Sequence, residues 1–189
     1  MIKLYHSLPK ILSPKFCLHC FNYNSNYLCQ QCLKTLKFEI NFSCLECGQR
    51  VVNGCRIKAH SNLIRFLISF GDYENIFLQE MILLGKDGSK EIFQDLGEII
   101  SHYLKNFKDY YLAFVPLTSK KYLQRGFNQS EVLAQVISEK LNLKIFTGLI
   151  KIRETKDQAQ LNSEQRLTNL IDAFALKEKP PKKIILIDD

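Results

Sequence analysis

The sequence predicts an α/β protein, a mostly parallel sheet flanked by helices, preceded by a small Cys-rich module. Three observations carry this. All 7 cysteines fall between positions 17 and 55, and cysteine disappears after about Ser61. From there on, short apolar runs alternate with stretches of helical periodicity, the pattern of a parallel sheet joined by helices. The last eight residues, KKIILIDD, set Ile184, Ile185, Leu186 and Ile187 before Asp188 and Asp189. A parallel strand buried on both faces is continuously apolar rather than alternating. Its carboxyl end is where open α/β sheets hold ligands, so two carboxylates there suit hydroxyls or a metal. The expected division is a module over residues 1–60 and a second domain over 61–189.

Bulk properties narrow the class. With 46% apolar and 24% charged residues the chain is globular rather than disordered. At 189 residues it can bury one ordinary core plus a small module. No apolar run approaches the roughly 20 residues of a membrane span, so no membrane insertion is expected. The start, MIKLYHSLPKILSPK, has neither an apolar block of signal-peptide length nor a small-residue cleavage site, and a cytoplasmic protein is expected. The formal charge of +7 is unevenly placed: residues 1–71 hold 9 Lys/Arg and 2 Asp/Glu, whereas residues 72–189 hold 17 of each. Zinc held by four thiolates would subtract about two charges from that excess. A basic first third fits either a solvated face or a nucleic-acid surface.

The cysteines run Cys17-x2-Cys20, Cys29-x2-Cys32, Cys44-x2-Cys47, then Cys55. A CxxC turn sets two sulfurs on one side of a tight loop, and two such turns complete a tetrahedron around zinc, with Zn–S of about 2.3 Å. An odd count, paired spacing and no secretion signal argue against disulfides. Zn²⁺ is therefore expected at Cys17, Cys20, Cys29 and Cys32. A second site would use Cys44, Cys47 and Cys55, with His60 as a fourth ligand or as an exposed loop His. Gly48 supplies the turn glycine after that third pair. Spacing alone also admits a crossed arrangement in which the first and third pairs share a metal. Aromatics alternate with bases here: Phe16, Phe21, Tyr23, Tyr27, Phe38 and Phe42 among Lys15, Lys34, Lys37, Arg50, Arg56 and Lys58. Such rings either build the module's core or stack bases of a single strand whose phosphates the cations hold.

The second domain begins with a strand over Phe66–Phe70, followed by a short helix in ENIFLQEMILL and the turn GKDGSK, with Ser89 as N-cap. Ile92, Leu96, Ile99, Ile100, Tyr103 and Phe107 recur at helical spacing and predict an amphipathic helix over residues 90–106. DYYLAFVP reads as a second buried strand closed by Pro116, and LTSKKYLQRGFNQSE as a polar stretch. Leu133, Val136, Ile137 and Leu141 mark another helix, and LKIFTGLIKI holds one or two short strands. A further helix is expected from about Ser163 to Ile171, and KEKPPKK is a surface turn before the last strand.

The chemistry-bearing stretches follow strand ends. Arg125-Gly126-Phe127-Asn128-Gln129 enters a helix whose free N–H groups, with an Arg, suit an anion. Lys86-Asp87-Gly88 reads as a turn. Arg153, Lys156, Gln158 and Arg166 lie in a polar span that either covers a site or forms an exposed loop and helix face, the latter for Lys156. His102 reads as helix surface and His6 as leader. No nucleophile or general base stands out.

Together these stretches resemble the ComF-type competence proteins, phosphoribosyltransferase-like proteins with an N-terminal zinc ribbon. The resemblance covers nearly the whole chain. It is carried by the CxxC pairs, by VPLTSKKYLQRGFNQSE and by an R-E-T-x-x-Q-x-x-L-x-x-x-x-R-x-x-N stretch (Arg153, Gln158, Leu161, Arg166, Asn169). Ala173-Phe174 and IILIDD complete it. It implies a type I phosphoribosyltransferase-like sheet and phosphoribosyl pyrophosphate with Mg²⁺ as ligand. Asp188 and Asp189 would contact the ribose hydroxyls. The loop from Val115-Pro116, with Arg125 and Gly126, would form the pyrophosphate side. It also implies a part in natural transformation, acting on incoming single-stranded DNA after uptake beside a helicase-like partner. In the family a Thr-Thr-Gly-type loop follows the acid pair. The sequence ends before such a loop, so the expectation is a C-terminally truncated chain, inactive in phosphoribosyl transfer and with part of its sheet uncovered. Two other functions compete: a phosphoribosyltransferase of nucleotide or cofactor metabolism, and an inactive remnant serving as a zinc-stabilised interaction module.

Overall fold

A computed structural model of the chain describes residues 16–24, 27–35, 40–44, 46–49, 67–70, 76–86, 88–156 and 161–188. It falls into two units, residues 1–81 and 82–189. The division expected near residue 60 lies outside the described residues.

In the first unit, helix α1 (Gln30–Thr35) follows Cys29 directly. Strand β1 (Ile40–Ser43) pairs antiparallel with β2 (Leu67–Phe70), from Ile40 opposite Phe70 to Ser43 opposite Leu67. The strand expected at 66–70 thus joins the Cys-rich stretch rather than a parallel sheet. β-branched and aromatic residues in INFS and LISF favour such pairing. Helix α2 (Ile76–Lys86) follows and carries the chain across the boundary between the two units.

The second unit is built on β3 (Tyr111–Phe114), whose Leu112 and Ala113 point to opposite faces and are both buried. Strand β6 (Ile184–Ile187) runs parallel beside it, Tyr111 opposite Ile184 and Phe114 opposite Ile187. On the other side a parallel bridge joins Leu112 to Ile145: Leu112 N donates to Lys144 O (2.9 Å) and Phe146 N to Leu112 O (2.7 Å). Helix α5 (Gln129–Leu141) connects these strands and packs against β3, β6 and α3 (Lys90–Tyr103). The result is the expected mixed α/β architecture, with a parallel sheet flanked by helices. Leu186 is 56% exposed, so β6 is covered only in part rather than buried on both faces. A separate antiparallel pair, β4 (Leu149–Lys151) with β5 (Phe174–Leu176), stands beside the parallel strands.

Local chemistry explains the remaining elements. The polar stretch after Pro116 contains a helix, α4 (Ser119–Arg125). Thr118 Oγ1 accepts from Lys121 N (3.3 Å) to start it, and Gly126, at φ +81°, ends it in the left-handed region. Helix α6 (Ser163–Asn169) opens on a capping box: Asn162 Oδ1 accepts from Gln165 N (2.9 Å), and Gln165 Oε1 from Asn162 N (3.2 Å). Ser89 stands at the N-cap of α3, but its hydroxyl makes no capping bond. Among the described residues, no helix is long and apolar enough to cross a membrane.

Where α3 meets α5, Gly97 allows close approach. A Cβ there would lie 2.9 Å from Val136 Cβ and 3.4 Å from Leu133 O. In an exposed helix, replacing glycine stabilises by up to about 1 kcal/mol; here the clash reverses the sign. Gly97→Leu is expected to lower unfolding free energy by about 1–3 kcal/mol, read as a shift in denaturation midpoint. A variant as stable as the parent would contradict this packing.

Candidate functional site

Four sulfurs come together in the first unit. Those of Cys17, Cys20, Cys29 and Cys32 all lie within 4.8 Å of one another. Two turns present them. In the first, Phe21 N donates to Cys17 O (2.8 Å) and Cys17 N to Asn22 O (2.9 Å). The second leads into α1, of which Cys32 is the third residue. Backbone N–H groups point at the sulfurs: Cys29 N donates to Cys17 Sγ and Cys32 N to Cys29 Sγ, each at 3.4 Å. Cys20 Sγ and Cys29 Sγ are 3.9 Å apart. A tetrahedron with metal–sulfur bonds of about 2.3 Å has edges of about 3.8 Å. A disulfide needs about 2.05 Å, and no disulfide joins these cysteines. The sulfurs brought together are thus those of the first and second pairs.

The thiols differ in acidity. Burial raises that of Cys17, but hydrogen bonds from the backbone of Cys29, Cys20 and His19 outweigh it and draw the thiol down to about 6. Burial pushes the Cys32 thiol up, reinforced by hydrogen bonds to Cys29, Cys20 and Cys17 and by the Cys17 charge. One sulfur already favours thiolate, the form a metal binds. Four thiolates in a closed, half-buried set can hold one ion with no open position, which is a structural rather than a catalytic arrangement. The donor set is compatible with zinc.

The third pair forms a similar turn. Cys44 N donates to Gln49 O (2.9 Å) and Gly48 N to Cys44 O (2.8 Å), with Gly48 at φ +69°. Cys44 is buried and Cys47 exposed. Cys55 and His60 lie outside the described residues. So does Phe38, among the rings; Phe16, Phe21 and Tyr23 are exposed, and Tyr27 and Phe42 half-buried.

In the second unit, the carboxyl ends of β3 and β6 meet the start of α5. Asn128 caps that helix: its Oδ1 accepts from Ser130 N (3.1 Å), and its Nδ2 donates to Val115 O at the end of β3 (2.9 Å). Ser130 Oγ donates to Asp188 Oδ1 (3.1 Å), just past β6. The RGFNQS segment is thereby fastened to the first of the two terminal acids. Asp189 lies outside the described residues. Arg125 is exposed and donates to Gln129 Oε1 (3.3 Å), and Gly126 ends α4 beside it. Gln129 is buried, and its Nε2 has no hydrogen-bond partner among the described residues.

Lys151, on β4, is a contributor that sequence reading passed over. Its ammonium donates to Thr155 Oγ1 (2.8 Å) and lies 5.5 Å from the centre of the Phe174 ring. Burial, then the charge of Lys121, lowers its pKa, while Glu154 and Asp188 oppose the shift. Lys121 and Lys151 thus share an electrostatic field with Asp188. Only the KK and KIR sequences could have hinted at it.

Three residues of the R-E-T…R-x-x-N stretch turn inward on their own loop. Arg153 Nη2 donates to Asn169 O (3.0 Å) and Ile171 O (2.5 Å), satisfying carbonyls at the end of α6. The Asn169 side chain bonds both backbone groups of Lys156, at 3.1 and 2.9 Å. Arg166 Nε donates to Leu161 O (3.1 Å). Lys156 is exposed, as expected, and Gln158 lies outside the described residues. His102 is on the exposed face of α3, its Nδ1 2.9 Å from Glu98 O.

No family model matches the chain. Among curated proteins it is similar to Competence protein ComFC of Streptococcus pneumoniae (strain ATCC BAA-255 / R6), 26% identical over 162 residues, which are 85% of this chain and 66% of that protein. Competence protein F of Haemophilus influenzae is 32% identical over 80 residues, 40% of this chain and 35% of the relative. DNA utilization protein YhgH of Salmonella typhimurium is 35% identical over 81 residues, 41% of this chain and 35% of the relative. The chain thus spans just under two thirds of the first relative and about a third of the other two. Two of these relatives are named as competence proteins, the first of them matched over 85% of this chain, and the third is named as a DNA utilization protein.

Proposed function

We propose that this relative of the ComF-type competence proteins acts in natural transformation, handling incoming single-stranded DNA after uptake in the cytoplasm beside a helicase-like partner. In this reading Cys17, Cys20, Cys29 and Cys32 hold a structural Zn²⁺. Cys44, Cys47 and Cys55, with His60, are ligands for a second. The carboxyl end of β3 and β6 is a site of the phosphoribosyl pyrophosphate type. There Asp188 and Asp189 accept hydrogen bonds from vicinal ribose hydroxyls. Arg125, Gly126 and the start of α5 take the pyrophosphate side, with Mg²⁺ neutralising its charge.

One observation carries the site reading: the 3.1 Å bond from Ser130 to Asp188 ties the RGFNQS segment to the acid tip across 58 residues of sequence. Ligand sites in open α/β sheets form at such strand ends. The competence role is supported by the names of the relatives. Deleting the gene is expected to reduce transformation by linear chromosomal DNA while labelled DNA still reaches a nuclease-protected state. Unchanged transformation would contradict the role; loss of protected DNA would place it at uptake instead.

A further inference from the structure

We propose that Phe16, Phe21 and Tyr23 form a base-stacking platform for single-stranded nucleic acid on the first cysteine turn. This deepens the DNA-handling reading above and rests on it. The three rings are 48%, 75% and 76% exposed. Scattered exposed apolar residues are ordinary, but these lie within eight residues and are held in place. Phe16 and Tyr23 form an antiparallel bridge, and their rings meet edge to face with centroids 6.2 Å apart at 87°. Phe21 stands on the turn between them, anchored by its N–H to the Cys17 carbonyl.

The backbone at Phe21 is the telling feature. Its φ is +58°, a left-handed conformation that a bulky L-residue adopts only at an energetic cost. The third cysteine pair repeats the same two hydrogen bonds, from Cys44 and Gly48, and puts Gly48 at φ +69° in the equivalent position. Glycine fits that corner without strain. An aromatic there, with three quarters of its surface in solvent, gains nothing for packing, so its use lies outside the fold.

Charge selects the occupant. Residues 1–71 carry 9 Lys/Arg against 2 Asp/Glu, and thiolate ligation of the two zinc ions proposed above would remove about three of those seven positive charges, leaving the stretch basic. A second copy would bring the same positive charge to the contact, whereas a polyanion would be drawn to it. Exposed rings take bases by their faces, which duplex stacking hides, so the single strand is the form that fits.

Phe21→Gly removes the ring and relieves the strain, which separates binding from folding. In the full chain this variant is expected to keep its zinc, measured by release to a chromogenic chelator. Its affinity for a fluorescein-labelled oligo-dT, by anisotropy, should fall between roughly fivefold and a hundredfold. The slope of log affinity on log salt should stay unchanged, because phosphate contacts are left intact. Tyr23→Ser, outside the turn, should weaken binding in the same range and serves as the check if Phe21→Gly loses metal. Parental affinity in a zinc-loaded variant would overturn the platform while leaving the DNA-handling reading standing. No binding by the parent chain at low salt would overturn both. A concentration-dependent dimer abolished by Phe21→Gly would assign the rings to a second copy instead.

Discussion

Stripping metal from the purified chain with a chelator will unfold the segment around residues 16–49. A module this small has little core of its own: Cys17, Leu28, Cys32 and Cys44 are its buried apolar residues among those described, and three of the four are cysteines. Three of its rings face solvent. Below about 70–80 residues a single core seldom suffices without disulfides, a structural metal or oligomerisation. Structural zinc contributes an apparent 10–16 kcal/mol, roughly, at pH 7, as much as the whole stability of a typical domain. Amide exchange at Cys29 and Cys32, whose N–H groups point at sulfurs, should become fast on chelation and slow again on adding Zn²⁺. Amides of α3, α5 and β3 should keep their protection, because that unit buries Ile92, Phe93, Leu112 and Ile137 without metal. Cys17→Ser should reproduce the chelated state. Unchanged exchange in residues 16–49 after complete metal removal would refute the structural role.

The second large effect is expected at Asp188. Asparagine keeps an acceptor for Ser130 Oγ and so preserves the 3.1 Å link, but it cannot bind a ribose diol with full charge. Hydrogen bonds to charged groups contribute about 1.5–3 kcal/mol each. Asp188→Asn is therefore expected to weaken binding of phosphoribosyl pyrophosphate with Mg²⁺ by about tenfold to a hundredfold, measured by calorimetry on the longest natural form of the chain. Ser130→Ala, which removes one donor to the carboxylate instead of neutralising it, should cost less. A second readout involves no ligand. Asp188 acts to raise the pKa of Lys151, opposing burial and Lys121. Removing its charge should lower that pKa further, moving the Lys151 titration seen by NMR to lower pH. Movement to higher pH, or equal ligand affinity in parent and variant, would count against this assignment.

Much of this could be read from the sequence because it is locally encoded. The parallel pair β3 and β6 showed as continuous apolar runs, and α3 as a strong helical period. The CxxC spacing marked the cysteine pairs as candidate ligands but left open which pairs come together, and the fold brings the first two within 4.8 Å. What stayed hidden is non-local or runs against propensity. Helix α4 buries no side chain, so no apolar period marks it, and only Thr118 and Gly126 bound it. Strand β5 is three residues long. The pairing of residues 67–70 with 40–43, the bond from Ser130 to Asp188, and the Arg153 grip on the end of α6 join positions far apart in sequence. Phe21 is concealed for another reason: phenylalanine disfavours the left-handed region, so propensity points away from the turn it occupies.

The most direct test of the metal-clamped head is X-ray absorption at the zinc edge on a Cys44→Ser/Cys47→Ser chain, with metal content measured on the same sample. One zinc per chain, surrounded by four sulfurs at about 2.3 Å, is the expected result. A chain without zinc, or a shell containing nitrogen or oxygen in place of sulfur, would contradict it.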